Sequence, residues 1–210
     1  MFNTTAWNRL RYTAYAPLYD AVAARVLSRP REIALSRVDW EPGMRVLLVG
    51  AGTGLDLPFL PCSIELHATD LSPAMVKRTA KRAARLRRDA DCRVMDAEAL
   101  DYPDAHFDVV VMHFIVAVMP DPARGLAEAH RVLKPDGQLC LLDKFQPDHR
   151  PAGTGRRLLN VATSAIATDI TRQATPLLNA AGFSVRSDKA VLMGSLFRAL
   201  IAAKQAPATP

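Results

Sequence analysis

A short apolar run that ends in three regularly spaced glycines constrains this chain more than any other stretch. Residues 46–49 are Val-Leu-Leu-Val, and Gly50, Gly52 and Gly54 follow at alternate positions. An apolar run that ends in glycines is typical of a buried parallel strand entering a tight turn. Glycine has no Cβ atom, so a ligand can approach the backbone of such a turn closely. The stretch therefore predicts an α/β fold with a binding site at the end of its first strand.

Acidic residues follow the next two predicted strands. Asp70 comes directly after the run 64–69, and Asp96 after the run 92–95. Ligands of doubly wound sheets bind at the carboxyl ends of the strands, where an acid after the second strand accepts hydrogen bonds from ribose hydroxyls. An acid after the third strand is placed to accept a hydrogen bond from the amine of a base. The pattern predicts a nucleoside-type ligand, and the turn lacks the third glycine spacing of the dinucleotide fingerprint.

Five motifs in register resemble class I S-adenosylmethionine-dependent methyltransferases. They lie between residues 45 and 142: Val-Gly-Ala-Gly-Thr-Gly, Thr-Asp-Leu-Ser-Pro-Ala-Met, Asp-Ala-Glu-Ala-Leu, Phe-Asp-Val-Val-Val and Arg-Val-Leu-Lys-Pro-Asp-Gly-Gln-Leu. The resemblance implies a Rossmann-like α/β fold, with helices on both faces of a seven-stranded sheet. Six of its strands are parallel, and the last is antiparallel and lies between the fifth and the sixth. It also implies S-adenosylmethionine as the cofactor, bound by Gly50, Ala51, Gly52, Gly54, Asp70, Leu71, Met75, Asp96, Ala97, His113 and Phe114.

Leu48 departs from the pattern of that family. The family usually carries Asp or Glu two residues before the first glycine, where the acid supports the turn and the ammonium group of the cofactor. This chain has an apolar side chain there. The departure leaves open whether other groups replace the acid, or whether the domain is a binding module without catalytic activity.

Three further segments are similar to the soluble-type bacterial phosphatidylethanolamine N-methyltransferases. They are a Tyr-x-x-x-Ala-Pro-x-Tyr-Asp segment at 12–20, the turn Gly-Thr-Gly-Leu-Asp-Leu-Pro at 52–58, and the run from His to Pro-Asp-Pro at 113–122. The resemblance implies a phospholipid acceptor, with Tyr15, Tyr19 or His113 orienting its amine. The alternative acceptor is a quinone or another small molecule, because methyltransferases for such substrates share the general outline.

Positive charge is the main compositional signal. The formal net charge is +6, and the predicted helix 72–88 carries seven Lys and Arg residues. These residues form either a solvated face or a surface for an anionic membrane, which attracts each basic residue by roughly 1 kcal/mol. Nucleic acid is not expected as a partner, because no aromatic residues that could stack on bases are interleaved with the basic ones.

Cysteine usage and hydropathy favour a cytoplasmic protein. The three cysteines are widely separated, so we expect neither a disulfide framework nor a metal site. The longest apolar run, 109–119, is too short to span a bilayer. No signal peptide is evident at the N-terminus, so the sequence predicts a cytoplasmic location, with peripheral association at the inner membrane left open.

The predicted organisation is an N-terminal helical segment at 1–40, a methyltransferase domain at 41–204 and a flexible tail at 205–210. The N-terminal segment is either a cap packed on the sheet or a membrane-interface segment. Within this organisation we predict a helix over 21–36 that is interrupted by Pro30, a turn at 134–137, and a substrate-covering insert at 148–172. The inner face of the helix 72–88 is predicted to comprise Met75, Val76, Ala80, Ala83 and Leu86.

Overall fold

The computed structural model describes residues 26–145, 173–193 and 196–205. They form a seven-stranded sheet whose strands are β1 (Arg45–Val49), β2 (Glu65–Asp70), β3 (Asp91–Val94), β4 (Phe107–His113), β5 (Leu133–Lys144), β6 (Phe183–Leu192) and β7 (Phe197–Lys204). Their order across the sheet is β3-β2-β1-β4-β5-β7-β6. β7 pairs antiparallel with both of its neighbours, and the other pairs are parallel. The predicted sheet, including the position of its last strand, is confirmed.

Helices cover both faces of the sheet. They are α1 (Ser28–Leu35), a short 3-10 helix (Leu57–Phe59), α2 (Pro73–Arg85), α3 (Pro122–Val132) and α4 (Ala174–Ala180). One apolar cluster joins α1, the 3-10 helix and α2 to the first face, and a second cluster joins α3 and α4 to the other. β1 supplies both clusters, with Val46 and Leu48 on the first face and Leu47 and Val49 on the second. Such two-sided burial explains why β1 is a continuous apolar run.

The sheet reverses its winding beside β1. The chain runs outward from β1 through β2 to β3, and then returns to β4 on the other side of β1. In open α/β sheets, the crevice at the carboxyl ends of the strands beside such a reversal is where ligands bind. The topology therefore places the glycine turn at the expected site.

Three local predictions differ from the structure. The interruption predicted at Pro30 lies at Leu27, between helical Val26 and Ser28, whereas Pro30 lies in the first turn of α1, a position that proline tolerates. Residues 134–137 belong to β5 as a bulge, since Phe107 pairs with Leu133 and Val109 with Gln138.

The buried stripe of α2 also differs from the prediction. It comprises Met75, Thr79 and Ala83, four residues apart, whereas Ala80 and Leu86 are exposed. Leu86 lies at the end of α2, where it no longer faces the sheet.

Several predicted features lie outside the described residues. They are Tyr15, Tyr19, most of the N-terminal segment, the insert at 148–172 and residues 206–210 of the tail. The predicted domain boundaries and the role of the two tyrosines therefore stay predictions.

Candidate active site

The glycine turn after β1 has the backbone conformation that its sequence predicts. Gly50, Gly52 and Gly54 have φ angles of 67°, 58° and 76°, in the left-handed region that favours glycine. A Cβ atom on Gly50 would lie 2.3 Å from Cδ1 of Ile115, whereas one on Gly52 would meet nothing within 4 Å. The backbone at Gly50 is thus closely packed, and the backbone at Gly52 faces open space that a ligand can fill.

Asp70, at the end of β2, fastens this turn to the start of α2. Its Oδ2 accepts a hydrogen bond from the backbone N–H of Gly52 at 2.8 Å, and its Oδ1 accepts one from Ser72 at 2.9 Å. Burial raises the pKa of the Asp70 carboxyl above its usual value, although the two backbone N–H groups act in the opposite direction. Each carboxylate oxygen keeps a second lone pair, so Asp70 can still accept bonds from the hydroxyls of a ribose.

Asp96 holds the loop after β3 in the same way. Its Oδ1 accepts a hydrogen bond from the backbone N–H of Glu98 at 2.9 Å, and Oε1 of Glu98 accepts one from the N–H of Asp121 at 2.8 Å. The loop is thereby joined to the start of α3. Asp96 is only partly buried, so its carboxylate remains accessible to the amine of a base.

The strand ends enclose one pocket. The predicted cofactor residues that line it are Gly50, Ala51, Gly52, Asp70, Leu71, Met75, Asp96, Ala97, His113 and Phe114. Gly54 is not among the lining residues: a Cβ there would lie 2.9 Å from Cδ1 of Leu57 and 3.3 Å from Cα of Thr79. Gly54 lets the turn pack closely against α2, and its role as a binding residue stays a prediction.

A buried polar chain forms part of the same site. The guanidinium of Arg31, from α1, makes an ion pair with Asp56, which follows the glycine turn. Nδ1 of His113, at the end of β4, lies 2.7 Å from the other Asp56 oxygen, and Nε2 lies 3.5 Å from Sγ of Cys140. All four residues are buried. These four residues link α1, the glycine turn, β4 and β5 beside the pocket.

The electrostatics of these four buried residues keep Asp56 ionised. Burial by itself raises the pKa of the Asp56 carboxyl, but the Arg31 charge and the bonds from His113 and Arg31 outweigh it and hold the pKa well below its usual range. Burial raises the pKa of the Cys140 thiol, which therefore stays protonated. Both ring nitrogens of His113 face partners inside the protein, although the residue lines the pocket as predicted.

Phe114 forms part of the pocket wall beside these four buried residues. Its φ angle is 60°, an uncommon value for a residue with a side chain, and such strain tends to occur at functional sites. The guanidinium carbon of Arg31 lies 4.7 Å from the centre of the Phe114 ring, within the range of a cation–π contact. The ring thus orients the charged group that lines the pocket beside it.

Sequence reasoning did not assign Arg31, Asp56 or Thr79 to the site. The Thr79 hydroxyl donates a hydrogen bond to the carbonyl of Gly52 at 2.8 Å and so ties α2 to the glycine turn. Asp56 is part of the Gly-Thr-Gly-Leu-Asp-Leu-Pro motif, which was the one available signal for it. Leu48 lies in the apolar cluster at 2% exposure, so no carboxylate supports the turn from that position.

The fold and the site together define an α/β enzyme that binds a nucleoside-type ligand, and comparisons with known proteins specify the class. A family model described as a methyltransferase domain matches residues 47–141. A phosphatidylethanolamine N-methyltransferase from Cereibacter sphaeroides is 33% identical over 144 residues, which cover 68% of this chain and 70% of that protein. A demethylmenaquinone methyltransferase from Renibacterium salmoninarum is 37% identical over 145 residues, covering 66% of this chain and 59% of that protein.

The chain belongs to the family of S-adenosylmethionine-dependent methyltransferases. The solved structure of the [4+2]-cyclase SpnF has a TM-score of 0.82 at 20% identity, over 97% of this chain and 98% of that one. At this identity the likeness concerns the fold alone. The protein is a methyltransferase, and its cofactor is S-adenosylmethionine.

The residues present fit this cofactor. The open space against the backbone of Gly52 leaves room for it, and the free lone pairs of Asp70 match a ribose. Within the described ranges, no group of three or more His, Cys, Asp or Glu side chains could hold a metal ion. None of the helices described here is long and apolar enough to cross a bilayer.

Proposed function

We propose that this methyltransferase transfers methyl groups to the amine of phosphatidylethanolamine and its methylated intermediates at an anionic membrane surface. The structural observation that carries the proposal is the positive face of α2. Lys77, Lys81 and Arg85 are exposed along this helix, and Arg87 follows it. Among the described residues, none of these four forms an ion pair, so their charges are available to lipid headgroups.

The position of α2 connects this face to the pocket. Ser72 and Met75, at the start of the helix, line the pocket, while the basic side chains follow along the same helix. A helix that begins at the pocket and carries Lys77, Lys81 and Arg85, which form no ion pair with the described residues, suits an acceptor presented at an anionic surface. The similarity to the phosphatidylethanolamine N-methyltransferase of Cereibacter sphaeroides supports the same acceptor.

The chemistry requires positioning more than acid–base catalysis. S-adenosylmethionine supplies a methyl group that is already activated for displacement. The protein holds the two reactants in line and excludes water. A primary amine with a pKa of about 10 must first lose a proton, and the apolar wall formed by Ile115, Val118 and Met119 favours its neutral form.

Of the three predicted catalytic residues, His113 lies among the described residues, and Tyr15 and Tyr19 lie outside them. His113 has both ring nitrogens engaged by Asp56 and Cys140, so we propose that it positions the buried chain and do not assign it as a base. Tyr15 and Tyr19 remain candidates for orienting the acceptor amine. We assign no general base.

A quinone is the alternative acceptor. The similarity to a demethylmenaquinone methyltransferase and the apolar pocket wall support it. The possibility that Leu48 left open, cofactor binding without catalysis, is not favoured, because the chain belongs to a family of methyltransferases.

Transfer of a labelled methyl group separates these three functions. The protein is incubated with labelled S-adenosylmethionine and one of three acceptors: mixed vesicles of phosphatidylethanolamine and phosphatidylglycerol, free ethanolamine, or demethylmenaquinone in detergent. We expect labelled lipid from the vesicles. Product only from demethylmenaquinone or ethanolamine would reject the lipid acceptor, and saturable cofactor binding without any product would support the binding module.

A matched pair of double variants tests the role of α2. K81Q/R85Q removes one Lys and one Arg from α2, and R186Q/K189Q removes one of each from exposed positions on β6. At roughly 1 kcal/mol for each basic residue, the first variant should bind anionic vesicles about 30-fold more weakly in sedimentation. The β6 variant should bind like the wild type. Equal weakening in both variants would mean that only net charge matters.

A further inference from the structure

Arg31 has donor capacity that the described residues do not use in full. Its side chain is buried, with the residue 7% exposed, and it lines the pocket. One guanidinium nitrogen pairs with Asp56, whereas Nε has no hydrogen-bond partner among the described residues. A buried cationic donor without its full set of partners is costly. A guanidinium has five N–H donors, so the part of Arg31 that lines the pocket can still bond to an anionic group that enters it.

The order of groups along the sheet edge shows which part of the cofactor reaches Arg31. Asp96 follows β3 and suits the base, Asp70 ends β2 and suits the ribose, and the glycine turn follows β1. Beyond them, at the end of β4, lie His113, Phe114 and the guanidinium of Arg31. A ligand held by its base and ribose therefore extends its amino-acid end towards β4.

We propose that Arg31 binds the carboxylate of the amino-acid end of S-adenosylmethionine. A guanidinium presents its donors as a planar fork that matches a carboxylate. Asp56 and the ring of Phe114 hold this fork in place, and His113 holds Asp56. Asp56 and His113 are thus positioning residues, since they act through Arg31.

The proposal also explains how the site functions without an acid at Leu48. The usual acid supports the ammonium group of the cofactor, and here that position is apolar and belongs to the core. Because Asp56 is already engaged by Arg31 and His113, it does not replace that acid. The amino-acid end is instead held through its carboxylate, by a cation supplied from α1.

Calorimetry with two ligands that differ only in the carboxylate tests this assignment. S-adenosylmethionine and decarboxylated S-adenosylmethionine are titrated into the full chain without any methyl acceptor, so the result does not depend on the proposed lipid acceptor. We expect wild type to bind S-adenosylmethionine about 30-fold more tightly than the decarboxylated compound, as expected for a charge-assisted hydrogen bond. Equal affinity of the wild type for both ligands would overturn the proposal.

Two variants assign that preference to Arg31. Arg31→Lys keeps the charge that Asp56 requires but lacks the fork. R31M/D56N removes the ion pair as a unit, so that no buried charge is left without a partner. In both variants the 30-fold preference should fall to about threefold or less, while affinity for the decarboxylated compound changes little. If both ligands weaken equally, Arg31 has only a structural role, and if the preference persists, another group binds the carboxylate.

Discussion

The two ends of the pocket are built in different ways. At the adenosyl end, carboxylates accept hydrogen bonds from backbone N–H groups: Asp70 from Gly52 and Ser72, and Asp96 from Glu98. At the other end, polar side chains from distant parts of the sequence bond to one another. Arg31 and Asp56 are 25 residues apart in the chain, and Asp56 and His113 are 57 apart.

Because of this difference, we expect substitutions at the two ends of the pocket to have different effects on ligand affinity and on stability. The carboxylates at the adenosyl end shape a turn and keep lone pairs for the ligand, so changes there should mainly affect affinity. The buried ion pair at the other end joins α1 to the turn, and removal of one partner leaves a charge without compensation. Loss of a single partner of this ion pair should therefore lower the stability of the fold, in addition to any effect on the carboxylate of the ligand.

The largest expected effect is on stability, from Asp56→Asn. This change leaves Arg31 buried without a counter-charge, which typically costs about 3–5 kcal/mol in the free energy of unfolding. Urea denaturation monitored by circular dichroism measures it. Glu32→Gln is the control, because it removes an exposed ion pair with Arg29 on the same helix and should cost less than about 1 kcal/mol. Similar costs for the two variants would remove the distinction between the two ends.

The next effect is on affinity, from Asp70→Asn. The amide has one oxygen in place of two, so it cannot accept bonds from both Gly52 and Ser72 and also serve a ribose in full. We expect about 100-fold weaker binding of S-adenosylhomocysteine in calorimetry, with stability changed much less. Asp91 lies at the start of β3, away from the edge of the sheet that holds the pocket, so Asp91→Asn should bind like the wild type. Unchanged affinity in Asp70→Asn would show that the ligand does not lie at this end.

Acid should remove part of the contribution of Asp56 to stability. The pKa of its carboxyl is lower in the folded state than in the unfolded chain, so its contribution is present above about pH 4 and is lost as the pH falls further. The stability difference between the wild type and Asp56→Asn should therefore shrink by about 1 kcal/mol between pH 5 and pH 3. Urea denaturation at both pH values tests this, and a constant difference would contradict the ionised state of Asp56.

Thr79→Val should have the smallest effect. It removes the hydrogen bond to the Gly52 carbonyl but keeps nearly the same shape, so we expect a loss of about 0.5–1 kcal/mol in stability. Affinity for S-adenosylhomocysteine should fall only a few-fold. A loss of affinity as large as that of Asp70→Asn would mean that α2, and not Asp70, chiefly holds the turn.

The adenosyl end was predictable because its determinants are local. The glycine turn, Asp70 and Asp96 each follow a strand that hydrophobic pattern identifies, and strand ends in such sheets meet at one edge. Arg31 and Asp56 were not assigned, because no periodicity predicts an ion pair between residues brought together only by the packing of α1. Thr79 was missed for a related reason: its hydroxyl donates a hydrogen bond to a carbonyl of the glycine turn, and only the packing of α2 brings the two groups together.

In the fold, too, the features set by local sequence were predictable and those set by packing were not. Motif order and resemblance were sufficient for the strand order and the antiparallel β7. The resemblance also implied that Gly54 binds the ligand, which stays a prediction. It did not indicate the packing of Gly54 against α2, where α2 and the 3-10 helix approach the turn more closely than a side chain would allow.

A crystal structure of the protein with S-adenosylhomocysteine tests the whole arrangement most directly. We predict that the ribose hydroxyls lie within hydrogen-bonding distance of Asp70, with the base near Asp96 and the carboxylate at Arg31. A ligand bound with its amino-acid end towards β3, or outside this pocket, would contradict the account.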